Sequence, residues 1–292
     1  MRTPLPAITS VVAICITFAI FSQPSFGQSD RQAVINKASA LPTPRTKGGK
    51  PNLNGYWNGS FTANSNSFNN SSIPEKPPEG DVFVTLPARD GDTANFENDQ
   101  YVMSRTNDDL PIYKPEYWEK VRELDRAGIV HDPAFHCQPP GVPRMGAPER
   151  IVQLDNEIIL FYRNLYNFYR TIPMDGRQHD EEHMLFGTWM GDPLGRWEGD
   201  TLVIVSEGFN DQTWFGGEMA YIHGWDLKVT ERITRTGNIL RWEAVVEDPE
   251  YLAEPYHVDP VTRILNTDQH PILREMPACS ERDANSIYLN IR

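Results

Sequence analysis

The sequence predicts a mainly β protein, an antiparallel meander closing into a barrel with one or two short helices beside it. Three observations carry this reading. From Ile151 onward, short runs alternate apolar with polar residues, the period of a half-buried strand. Tight two- and three-residue turns join these runs, and such turns connect antiparallel neighbours, since parallel strands need long crossovers. About eight strands with one apolar face is the number that curls round a small lumen. A two-sheet sandwich is the alternative.

The elements follow in order. The chain opens on Met1-Arg2-Thr3, continues through an apolar stretch from Ala7 to Phe21, and reaches the small-residue pattern Ser25-Phe26-Gly27. A charged start, a short apolar centre and small residues before the cut describe a secretory signal over residues 1–27. The run falls short of the about 20 residues that span a bilayer. The expected destination is secreted or periplasmic, with no membrane attachment after cleavage. Residues 28–52 are polar and rich in Pro and Gly, and read as an extended leader to a single domain over 53–292. Leu53 to Phe61 reads as the first strand, and residues 62–80, dense in Asn, Ser and Pro, as a mobile loop. Pro115 starts a helix with Tyr117, Val121 and Leu124 at helical spacing, and Gly128 stops it.

The hairpins come next. Ile151 to Leu154 and Glu157 to Tyr162 flank Asp155-Asn156, a two-residue turn able to adopt positive φ. Phe168, Arg170, Ile172 and Met174 alternate against Tyr169, Thr171 and Pro173. Trp197-Glu198 and Thr201 to Val205 flank Gly199-Asp200, a second tight hairpin. Leu227 to Arg235 and Leu240 to Val246 flank Thr236-Gly237-Asn238. Residues 285–291 read as the closing strand.

Charge and cysteines narrow the class. Lys and Arg number 27 against 40 Asp and Glu, a formal net charge of −13. That argues against a nucleic-acid or anionic-membrane partner, both of which need a basic footprint. Once Cys15 leaves with the signal, Cys137 and Cys279 remain, and an oxidising compartment pairs them as a disulfide. His136 beside Cys137 keeps a thiol nucleophile or metal ligand as the other reading. Oligomeric state is left open.

Several strings occur together: Pro44-Arg45-Thr46 with Gly49-Lys50-Pro51, Gly55-Tyr56-Trp57, Asp175-Gly176-Arg177 with His179, and the run Gly195-Arg196-Trp197-Glu198-Gly199-Asp200-Thr201-Leu202. The set resembles a family of secreted bacterial proteins of uncharacterised activity, across most of the mature chain. Asn52 and Asp180 depart from that pattern, which has Asp and Pro there. The resemblance implies export and one domain, and transfers no catalytic role. The Gly-x-Trp core also resembles the first strand of lipocalin-like (calycin-type) barrels.

Candidate chemistry concentrates in Asp175-Gly176-Arg177-Gln178-His179-Asp180-Glu181-Glu182-His183, after the strand ending at Met174. Imidazole titrates near neutral pH, and a carboxylate can fix its tautomer and raise its basicity. Asp175 would orient His179 as base, Arg177 would hold an anionic or enolate oxygen, and His223 would join the same rim. Tyr162, Phe168, Arg170, Trp197 and Trp214 are the candidates for contacting a small apolar or aromatic molecule. The leading reading is a cofactor-independent acid–base enzyme of lyase, isomerase, hydratase or cyclase type. One rival is a carrier on the same barrel. The other is a metal enzyme with His179 and His183, four apart and facing together on a helix. The acids Glu198 and Asp200 read as turn chemistry, and no serine elbow, P-loop or dinucleotide glycine string is present.

Overall fold

The computed structural model describes residues 28–62, 111–127, 131–162, 168–217 and 220–268. Within them lie nine strands: β1 (Gly55–Thr62), β2 (Arg150–Gln153), β3 (Glu157–Phe161), β4 (Tyr169–Pro173), β5 (Asp192–Glu198), β6 (Thr201–Glu207), β7 (Lys228–Thr236), β8 (Ile239–Glu247) and β9 (Tyr256–Leu265). They form one antiparallel sheet in the order β4-β3-β2-β1-β9-β8-β7-β6-β5. Two meanders, β2 to β4 and β5 to β9, are joined by β1. It pairs with β2 through Gly55 and Tyr56 and with β9 from Trp57 onward. The result is a nearly closed up-and-down barrel, and the two-sheet sandwich is ruled out.

The ends of that order, β4 and β5, meet without a hydrogen-bonded ladder. A Cβ on Gly195 of β5 would stand 2.3 Å from Met174 Sδ and 2.8 Å from Ile172 Cγ2. A side chain there would hold the two strands apart. Glycine lets the sheet come round onto itself.

The three tight hairpins fall where the turn residues place them, closing on Gln153–Ile158, Glu198–Thr201 and Thr236–Ile239. Inward faces follow the period of two: Ile158 and Leu160 on β3, Val229 and Ile233 on β7, and Leu240, Trp242, Ala244 and Val246 on β8 are all buried. Trp57 is fully buried, its Nε1 donating to the Leu53 carbonyl at 3.0 Å and its ring lying 5.1 Å from the Arg235 guanidinium carbon.

The set of expected strands is incomplete. The expected closing strand over 285–291 lies outside the described residues, and the partner of β1 among those residues is β9. Pro260 hid it. The β8–β9 register shifts between Trp242 and Ala244, opposite Asp259 and Pro260. A proline without its N–H is tolerated at such a bulge. The leader is not wholly extended either, since Gln28–Ser39 forms helix α1. Its end docks on the β7–β8 turn, where Asn238 N–H donates to Ala38 O at 3.0 Å and Gly237 N–H to Thr43 Oγ1 at 2.8 Å.

Beyond α1 the leader clasps the β5–β6 turn. Arg45 forms a two-pronged ion pair with Asp200 at 2.8 and 2.6 Å, and Lys50 Nζ donates to Gly199 O at 3.1 Å while lying over the Trp197 ring. The Pro-Arg-Thr and Gly-Arg-Trp-Glu-Gly-Asp strings are thus two halves of one contact. The expected signal over 1–27, nearly all of the expected loop at 62–80, and Cys279 lie outside the described residues. The Cys137–Cys279 disulfide therefore stays a proposal.

Strand pairing brings the ends of β6 and β8 and the starts of β5, β7 and β9 to one mouth of the barrel, whereas β4 ends toward the other, so the connection from β4 to β5 runs from one end to the other. That mouth is covered. Helix α2 (Trp118–Ala127) and the segment before it lie across it. There the Asp125 carboxylate accepts from Ala220 N–H at 2.7 Å, and Tyr113 Oη sits 2.9 Å from Ile222 O. Among the described residues, no helix is long and apolar enough to cross a membrane.

Candidate functional site

The connection from β4 to β5 carries the acidic, histidine-bearing string. It begins with Asp175 and Arg177, which pair with each other in the open, Arg177 Nε donating to Asp175 Oδ1 at 2.9 Å. The guanidinium holds the Asp175 carboxyl down to about 2. Asp175 therefore does not orient His179. A different carboxylate does.

Asp192, the first residue of β5, receives both histidines. His179 Nδ1 lies 3.0 Å from Asp192 Oδ2, His183 Nδ1 lies 3.0 Å from Oδ1, and the Asp180 N–H donates to Oδ2 at 3.0 Å. The local fold explains the convergence. Asp180 caps a short helix, α3 (Glu181–Phe186), by accepting from the His183 N–H at 3.0 Å. His179 thus precedes the helix and only His183 rides on it, so the expected pair on one helical face does not form. The two rings instead approach Asp192 from a turn and a helix.

Each charge state follows from these contacts. Burial pushes the Asp192 carboxyl up, but hydrogen bonds from His183, the Asp180 amide and His179 outweigh it, and the group ends below its ordinary range. The hydrogen bond to Asp192 raises the His183 imidazolium above its ordinary 6.5, with Asp180 and Glu182 adding to it. The second nitrogen of His179 faces a further acid, Nε2 lying 3.9 Å from Glu207 Oε2. Among the described residues, no group of three or more His, Cys, Asp or Glu side chains is placed to hold a metal ion.

Linkage gives a first test. His183, raised in the folded state, contributes stability below its unfolded pKa of about 6.5 and loses it as pH rises through the folded value. Asp192, lowered in the folded state, contributes above its unfolded pKa of about 3.9 and loses it as pH falls. Asp192→Asn should therefore destabilise most between roughly pH 4 and 6.5. The effect should be small, because His183 is half exposed. Imidazole NMR titration should show His183 moving down toward its ordinary value. An unchanged titration would remove Asp192 from the cluster.

His223 is elsewhere and differently employed. It is buried at 2 % exposure, with Nδ1 2.8 Å from Gly224 O and Nε2 2.8 Å from Thr213 Oγ1. A carbonyl can only accept, so Nδ1 carries the proton and the threonine hydroxyl donates to Nε2. Burial keeps this ring neutral and lowers its pKa. It ties the β6–β7 connection together beneath the covered mouth.

The expected ligand-contacting residues also part company. Tyr162 and Arg170 are buried inside the barrel in a polar network. Arg170 Nη1 donates to Glu231 Oε2 at 2.6 Å and Tyr162 Oη at 3.2 Å, Nη2 donates to Ser206 Oγ at 2.9 Å, and Trp242 Nε1 donates to Glu231 Oε1 at 3.0 Å. Burial works against the Arg170 charge, but Glu231 more than compensates and raises its pKa. Burial likewise pushes the Tyr162 hydroxyl up. Trp214 is buried under the mouth, Phe168 packs partly buried against the core, and Trp197 sits beneath Lys50 of the leader. The string after Met174 therefore does not open inward onto these residues.

A groove does lie beside the histidine cluster. It has a volume of about 540 Å³, with Met184, Trp225, Leu227 and Leu252 among its apolar lining and Glu207 and Glu247 among its acids. Helix α3 forms one wall, and the barrel rim forms the other. The wall is held close because the chain leaves α3 through Gly187 at φ 67°, where a Cβ would lie 2.8 Å from Phe209 O and from Trp225 Cζ3. Only glycine fits that conformation and that gap. Met184 and Trp225, both in its lining, leave much of their apolar surface exposed, at 43 % and 49 %.

Sequence reasoning missed Asp192, Glu207 and the groove. Asp192 had no local signal, while Glu207 and Trp225 had only their positions at strand ends. Compared with models of protein families, with curated proteins and with solved structures, the chain matches none.

Proposed function

We propose that this is an exported, secreted or periplasmic protein that binds a small, largely apolar or aromatic molecule in the groove between α3 and the barrel rim. The likeness to a secreted bacterial family belongs to the same proposal. One observation carries the reading: a concavity of about 540 Å³ with apolar side chains among its lining. This is the size range of small-molecule sites, which run from about 300 to 1,000 Å³. The exposed apolar residues around it are the kind of patch that marks a binding surface.

A second reading rests on a separate contact. Glu207 lines the groove and lies 3.9 Å from His179 Nε2, whose other nitrogen is held by Asp192. Asp192, His179 and Glu207 thus form a line of proton-exchanging groups that ends at the groove. That arrangement supports acid–base turnover of lyase or isomerase type, with Glu207 meeting the substrate and His179 behind it.

The test uses the mature protein and N-phenylnaphthylamine, an uncharged aromatic probe whose emission rises in apolar surroundings. Removing apolar contact at two positions, Met184→Ala with Trp225→Ala, should weaken binding on the order of tenfold. The melting temperature should move little, because both side chains are nearly half exposed. Binding that ignores both substitutions would place the ligand elsewhere and end the proposal.

A further inference from the structure

The rim of the groove has a sign. Glu207, Asp226, Glu247, Asp248 and Glu254 line it, against the single cation Lys228. Lys228 stands 3.7 Å from Glu247 and 4.0 Å from Glu207, so its charge is already shared. Asp248 is buried and accepts from the backbone N–H groups of Gly224, Glu250 and Tyr251, which fixes the β8–β9 connection against the groove. Asp226 and Glu254 are exposed and have no ion-pair partner among the described residues. Trp225, 49 % exposed, sits beside Asp226 and presents an indole to the same space.

These features select among ligands with similar apolar bodies. An anion entering the groove meets an excess of carboxylates, and a neutral molecule gains only the apolar contact. A cation gains the apolar contact, the attraction of the acids, and the nearness of an exposed indole, the best aromatic partner for a positive charge. We infer that the ligand of the groove is a small organic cation, an aliphatic or aromatic body bearing an ammonium group. This rests on the proposed groove and adds the charge of what fills it. A basic peptide would share the charge, but the groove's volume suits a single small molecule.

Three matched compounds test it: 4-phenylbutylamine, 4-phenylbutanol and 4-phenylbutyrate, titrated calorimetrically into the mature protein at neutral pH. The amine should bind on the order of tenfold more tightly than the alcohol, and the butyrate should be weakest. That advantage should shrink in about 0.5 M salt, where exposed charges are screened. It should also shrink in the double variant Asp226→Asn with Glu254→Gln, read as the ratio of amine to alcohol affinity. Equal binding of amine and alcohol, both lost in Met184→Ala with Trp225→Ala, would overturn the cation and leave the groove standing. Failure of all three compounds to bind, or binding indifferent to those groove variants, would overturn both.

Discussion

Replacing Arg170 with Ala is expected to lower the stability of the fold by about 3–5 kcal/mol, because it strands a buried carboxylate without its partner. Arg170 is the hub of the interior polar network. Its guanidinium meets Glu231, Tyr162 and Ser206, and Glu231 in turn accepts from Trp242. Arg170 and Glu231 side chains are 2 % and 1 % exposed, so no solvent stands ready to replace the lost contact. The fall in melting temperature should be on the order of 10 °C for a domain of this size. Removing both charges together, as Arg170→Met with Glu231→Leu, should cost less than the single change, since neither variant side chain leaves an unpaired ion. Thermal unfolding followed by circular dichroism decides the matter. A single substitution no worse than the double would mean that Glu231 finds relief elsewhere.

The second large effect is expected at Trp57. Truncating a fully buried tryptophan to alanine removes about 3–5 kcal/mol through lost transfer energy and the cavity left behind. Here the ring also donates to Leu53 O and lies beneath the Arg235 guanidinium, itself anchored on the Asn52 and Gly237 carbonyls. Burial lowers the Arg235 pKa, and the ring face is one of the few compensations available to that charge. Trp57→Ala should therefore cost more than an aliphatic truncation such as Leu240→Ala at an equally buried position. Denaturant unfolding of both variants measures the difference. Equal losses would leave the Arg235 contact without energetic weight.

The sequence carried the barrel well and the site only in part, for a physical reason. Alternation on β7 and β8 and the turn residues between them are local signals, spanning a few residues that touch one another directly. Strand β9 escaped because Pro260 and its bulge break the alternation that reveals a strand. Helix α1 escaped because Gln28–Ser39 is polar and shows no apolar stripe. The histidine cluster was visible as a concentration of imidazole and acid at His179 and His183. Its organising carboxylate was not, since Asp192 lies 13 and 9 residues onward and meets the rings only through the cap at Asp180 and the start of β5. Arg170 and Glu231 are separated by 61 residues and are joined only across the closed barrel, so alternation could say that Arg170 faces inward but not what it meets. Asp175 and Arg177, which stood out in the string, satisfy one another and leave the histidines to others.

The clasp between Arg45 and Asp200 has a bearing on the order of synthesis. Arg45 is made 155 residues ahead of its partner. The segment that carries Arg45 must therefore wait, undocked, until most of the strands have been produced and the β5–β6 hairpin has formed. A product that stops short of that hairpin has nothing for its start to settle on. Docking of the first-made segment thus reports that the chain has been completed well past its midpoint.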